Sequence, residues 1–126
     1  MKVRAYAISV LSALIAFVAT GVALAQVAAR SFTASPDIYK VVAQDEQYLV
    51  IEVTLKPGQR DQFHSHPSGG FFYYLTDCSI RFHTPDGTIR VVAHRTGDTG
   101  VNPSATSRSA ENVGKSDCKQ VLFEPK

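Results

Sequence analysis

The sequence predicts an all-β domain, and three observations carry that expectation. Residues 48–55 alternate cleanly, with Leu49, Ile51, Val53 and Leu55 on one side and Tyr48, Val50, Glu52 and Thr54 on the other. A strand with one buried face requires that pattern. Turn-forming Gly, Pro, Asn and Asp residues separate short runs rich in β-branched and aromatic side chains, and no segment reads as a helix.

The elements follow in order. Residues 39–43 form a first short strand and 48–55 a second, which Lys56-Pro57-Gly58 ends in a turn. Residues 62–66 are extended, 67–70 turn, and 71–75 make an aromatic and aliphatic strand. Residues 79–83 alternate again, Ile80 and Phe82 opposing Ser79, Arg81 and His83, and Thr84-Pro85-Asp86-Gly87 signals a hairpin into residues 89–93. Thr96-Gly97-Asp98 marks another turn. Strands over 99–102, 106–112 and 120–124 complete roughly eight or nine, at the spacing of a sandwich or barrel.

Ahead of this domain, Lys2 and Arg4 precede an almost wholly apolar run that ends in Ala23-Leu24-Ala25, a small-residue cleavage site before Gln26. Residues 1–25 are therefore expected to be a secretory signal peptide and not a membrane anchor, since Ser9, Ser12, Thr20 and Gly21 dilute the run. The expected location is periplasmic or secreted. Residues 26–37, rich in Ala, Ser and Thr, read as a flexible leader, and residues 38–126 as a single barrel domain with one core. Loss of Lys2 and Arg4 reduces the 13 basic residues to 11, matching the 11 acidic ones. A neutral chain without a basic run excludes nucleic acid as a partner, and cleavage leaves no membrane contact.

His64 and His66 sit at alternate positions of an extended segment, so both imidazoles reach one ion or one ligand. Gly58, five residues on to His64-Ser65-His66, an aromatic strand, and then Gly97, Pro103 and Asn112 in order resemble the two-motif signature of the cupin superfamily. The resemblance spans residues 48–123 and implies a cupin-type jelly-roll β-barrel, often dimeric, with its pocket inside. Two departures stand against the family pattern. Gly70 or Phe71 falls where the first motif carries a glutamate, and Arg108, with Ser107 as the alternative, falls where the second carries a histidine.

A tight divalent site takes at least three protein ligands, and two imidazoles alone make a weak one. A guanidinium about 4 Å away would repel the ion by ~1 to 4 kcal/mol. Two readings follow. In one, the barrel binds a small polar or anionic molecule through His64, His66, Tyr73 and Arg108, with an incomplete metal site. In the other, a metal-dependent enzyme of oxygenase or isomerase type holds one divalent ion weakly at His64 and His66, helped by His83, His94, Asp61 or Tyr73. A third reading makes the chain a structural or accessory homodimer built on the aromatic strand.

Plainer roles are expected for several of these residues. His83 falls on the solvent side of its strand, His94 in a loop, and Arg108 is placed to pair with Glu111 or Asp98 at the rim. Of Phe71, Phe72, Tyr73 and Tyr74, one alternate pair fills the core and the other lines a pocket or meets a partner. Cys78 and Cys118, each at the start of a strand in an exported chain, are expected to form a disulfide contributing roughly 2 to 4 kcal/mol. No nucleophile elbow, phosphate loop or carboxylate pair supports a hydrolase.

Overall fold

The structure, a computed structural model, describes residues 26–126, so the expected signal peptide lies outside the described residues. Nine strands are present among them: β1 (Tyr39–Gln44), β2 (Tyr48–Leu55), β3 (His64–His66), β4 (Gly70–Tyr74), β5 (Cys78–His83), β6 (Ile89–His94), β7 (Thr99–Asn102), β8 (Ala105–Asn112) and β9 (Cys118–Pro125). Each matches an expected strand. β3 is shorter than the extended run expected over residues 62–66, because only His64 onward enters the ladder with β8.

Antiparallel pairing arranges the strands into two sheets, β1-β2-β9-β4-β7 and β3-β8-β5-β6, whose inner faces enclose the core. The alternation of β2 turns Leu49, Ile51, Val53 and Leu55 inward, where they meet Ile80 of β5 and Leu122 of β9. Each such side chain contributes about 1.5–3 kcal/mol by leaving water. Cys78 opens β5 in one sheet and Cys118 opens β9 in the other; their disulfide ties the two sheets together, with Cα atoms 5.1 Å apart.

The glycines and the asparagine of the two motifs turn out to hold the frame. Gly58 and Gly97 take left-handed backbone conformations (φ 76° and 91°) at turns, a region that side chains other than glycine avoid. Gly58 N–H donates to the carbonyl of Asn112 (2.8 Å). The Asn112 amide donates to the Leu55 and Ser116 carbonyls, both at 2.8 Å, clasping the ends of β2 and β8.

The flexible leader expected over residues 26–37 is not what the structure contains. One helical turn, α1 (Ser31–Ala34), packs against the barrel, with Ser31 and Ser35 buried. Ser65 N–H donates to the Ala29 carbonyl (2.8 Å) and Gln62 N–H to Ser35 Oγ (2.9 Å). Small Ala and Ser side chains, which read as loose in isolation, let the backbone run this close to β3.

Candidate functional site

β3 is only three residues long and buried throughout. It pairs with β8, His64 opposite Arg108 and His66 opposite Ala105. Both imidazoles face the interior, their centroids 4.7 Å apart, planes at 83° and Nε2 atoms separated by 2.9 Å.

An oxygen behind each ring fixes its orientation. His64 Nδ1 donates to the Gln62 carbonyl at 2.9 Å and lies 3.5 Å from the Asp61 carboxylate. Asp61 is itself held by the Tyr39 hydroxyl (2.5 Å) and Ala110 N–H (2.7 Å). His66 Nδ1 donates to Glu124 Oε1 (2.5 Å), and Arg30 Nη2 donates to Glu124 Oε2 (2.8 Å). Burial pushes both histidines below their usual range, His66 to about 4, so both rings are neutral at pH 7. Burial raises Glu124, but the hydrogen bond from His66 and the Arg30 ion pair outweigh it and hold the carboxyl ionised. At Asp61 burial wins and the carboxyl shifts upward.

Arg108 completes the polar wall. It donates from Nη2 to Asn102 Oδ1 (2.9 Å), and its guanidinium lies 5.1 Å from the Phe82 centroid. That acceptor bond turns the Asn102 amide nitrogen toward Glu124 Oε1 (3.3 Å). The expected pairing of Arg108 with Glu111 or Asp98 does not form. Glu111 instead binds Arg81 and His83, Asp98 lies beside His94, and no carboxylate lies within ion-pair distance of Arg108 among the described residues.

These groups line a cavity of about 200 Å³ inside the barrel. Aromatic and aliphatic side chains form most of the remaining wall, among them Tyr39, Phe72, Tyr74, Ile80 and Leu122, with Arg90 and Gln120 also lining it. Tyr73, expected to bind the ligand, lies outside this cavity on the outer face, 48% exposed. The register explains the difference: β4 pairs Phe72 with the inward Leu122 and Phe71 with the outward Phe123, so Phe72 and Tyr74 point in while Phe71 and Tyr73 point out. His94 also departs from its expected loop position. It ends β6, lines the cavity and stacks on Tyr74 at 4.1 Å. His83 stays away from the cavity and bonds Glu111 at 3.0 Å.

Solved structures similar to this one include cupin domains. The chain has the cupin fold. A cupin domain from Bordetella pertussis aligns at TM-score 0.63 and 21% identity over 71% of this chain and 92% of that one. A double-stranded β-helix protein from Klebsiella pneumoniae aligns at TM-score 0.53 and 21% identity, covering 70% of this chain and 76% of its own. A cupin superfamily protein from Desulfitobacterium hafniense aligns at TM-score 0.51 and 11% identity, over 70% and 75% of the two chains. No family model matches the sequence, and no curated protein is significantly similar to it.

Within this cupin fold two carboxylates reach the histidines, neither of them in the place of the one missing from the first motif. Glu124 arrives from β9, but it engages His66 Nδ1, leaving the Nε2 side without an acidic group. Asp61 likewise sits behind His64. No group of three His, Cys, Asp or Glu side chains converges on one point among the described residues, so the donor set does not complete a tight divalent site. Glu124 and Asn102 were not foreseen from sequence. Alternation along β9 carries the signal for the first, since Leu122 faces inward and the residue two further on must do the same.

Proposed function

We propose that the protein is exported, loses residues 1–25, and binds a small polar or anionic molecule in the barrel through His64, His66 and Arg108. Arg108 is the observation that carries this reading. A guanidinium facing an aromatic cavity, with a neutral amide as its hydrogen-bond partner, its Nε unpartnered and no carboxylate within ion-pair distance among the described residues, is costly to bury and complementary to an anion. The cavity of about 200 Å³ falls below the roughly 300–1,000 Å³ of pockets for drug-sized ligands, which favours a small metabolite. The Cys78–Cys118 disulfide supports an oxidising compartment.

One observation favours a second reading as a metal-dependent cupin enzyme of oxygenase or isomerase type. An oxygen stands behind each Nδ1 and the two Nε2 atoms lie 2.9 Å apart, so both rings turn the same edge toward a common point, as ligation of one divalent ion by His64 and His66 would require. Thermal denaturation with a series of small carboxylates separates the readings when paired with metal analysis of protein prepared without chelators. Binding raises the stability of the folded state as the logarithm of ligand concentration. The expected result is metal-poor protein whose melting temperature rises with anions. In Arg108→Met that response is lost while the ligand-free melting temperature increases, because an unpaired buried charge has been removed. Stoichiometric metal that disappears in His64→Ala and His66→Ala, with no response to anions, would establish the enzyme reading instead.

A further inference from the structure

The inner face of the four-stranded sheet carries a second guanidinium besides that of Arg108. Cross-strand partners share a face, and β6 pairs Arg90 with Phe82 and Val92 with Ile80, so Arg90 points to the same side as the buried Ile80. It lines the cavity yet is exposed, which places it at the mouth, whereas Arg108 lies deeper with its Nε buried and unpartnered. Phe82 stands between them. Its centroid is 5.1 Å from the Arg108 guanidinium, and Arg90 is its direct partner across the ladder. Among the described residues no carboxylate lies within ion-pair distance of Arg90, and no Asp or Glu lines the cavity. Asp61 and Glu124 stand behind the histidines, bound there by Tyr39 and Arg30. Two cations at one cavity without a counter-charge in its wall favour a doubly charged anion over a singly charged one.

We infer that the ligand is a short-chain dicarboxylate, one carboxylate held by Arg108 inside the barrel and the other by Arg90 at its mouth, with the carbon chain lying over Phe82. This inference rests on the anion-binding reading and adds a second charge. β8 and β6 flank β5, so two strand spacings, roughly 10 Å, separate their backbones, and the two side chains rise from one face. Each contact between a guanidinium and a carboxylate takes up about 3 Å of such a span, which leaves room for a few carbons between the two carboxylates. The cavity of about 200 Å³ suits a molecule of that size. An inward charge on an edge strand also discourages pairing with another sheet, and β6 is an edge. That role needs no ligand, so binding separates the two.

Three pairs of probes test it by calorimetry at fixed ionic strength, on protein stripped of metal with a chelator that is then dialysed away. Each pair sets a dicarboxylate against the monocarboxylate of equal length: succinate against butyrate, glutarate against valerate, and adipate against hexanoate. At least one dicarboxylate is expected to bind about tenfold or more tightly than its partner, as one further charge-assisted contact implies. In Arg90→Gln that preference should vanish while monocarboxylate binding stays unchanged, and Arg90→Lys should keep most of it. Equal binding within all three pairs would overturn the second charge and leave anion binding standing, with Arg90 serving only the edge strand. A preference that survives in Arg90→Gln would overturn the place given to Arg90. Failure of all six acids to bind would overturn both this inference and the reading it rests on.

Discussion

The two ends of β9 show how differently one inward face can be used. At its start Cys118 closes the disulfide beside Leu55, and Leu122 packs into the aliphatic core. Six residues along the strand from Cys118, Glu124 faces the same interior as a fully buried carboxylate between Arg30 and His66. The apolar end holds the sheets together, gaining from every methylene removed from water. The polar end spends stability on buried charge that apolar residues of equal volume would avoid. The contrast teaches that the two ends meet different demands: aliphatic packing joins the sheets at one, and at the other the chain of bonds from Arg30 through Glu124 to His66 has to be kept whole.

Removing Glu124 should have the largest effect. Glu124→Ala leaves the Arg30 guanidinium and the His66 N–H without their acceptor and is expected to cost about 3–5 kcal/mol, measured by urea denaturation. A loss under 1 kcal/mol would mean that the two ends do not differ as described. Opening the disulfide at the other end, by Cys78→Ser with Cys118→Ser, is expected to cost roughly 2–4 kcal/mol, and reductant should then have no further effect on the variant.

Acid should weaken the polar end first. With His66 near 4 in the folded protein against an ordinary 6.5, the unfolded chain binds more protons between those values. The stability due to the neutral ring is thus complete above about pH 6.5 and is lost as pH falls toward 4, up to about 3 kcal/mol. His64 and Glu124, also shifted downward, act in the same direction, and Asp61, shifted upward, opposes them. Denaturation midpoints across pH 4–7 that stay flat in the wild type would contradict this ordering. The smallest effect is expected outside the barrel. Tyr73→Ser should change stability by less than about 0.5 kcal/mol and leave ligand binding intact, whereas Tyr74→Ser should weaken both. Light scattering on the Tyr73→Ser protein reads the oligomeric state as well, and a fall in mass would support a homodimer across the outer face.

Much of the frame was legible in the residues themselves. Period-two alternation identified the inward side of β2 and β5, and the turn residues delimited the strands, because both are local consequences of backbone geometry. Spacing also placed His64 and His66 on one side of their strand and put both cysteines at strand starts. The choice between Tyr73 and Tyr74 lay beyond the sequence, since a run of four aromatics has no polar face and only the register with β9 decides which pair turns inward. The packing of residues 26–37 is hidden from the sequence for a related reason: their Ala and Ser side chains have little hydrophobic signal, and their value lies in close approach to β3.

What the sequence alone determined is thus the all-β character, the strand positions and the two imidazoles side by side. What only the tertiary structure decided is the company those imidazoles keep: Glu124 lies 58 residues from His66 along the chain and Asn102 lies 36 from it. Local pattern specifies which way a side chain points relative to its own strand. Long-range pairing specifies what it meets there, because the contact is made by folding two distant segments together and leaves no periodicity in either one.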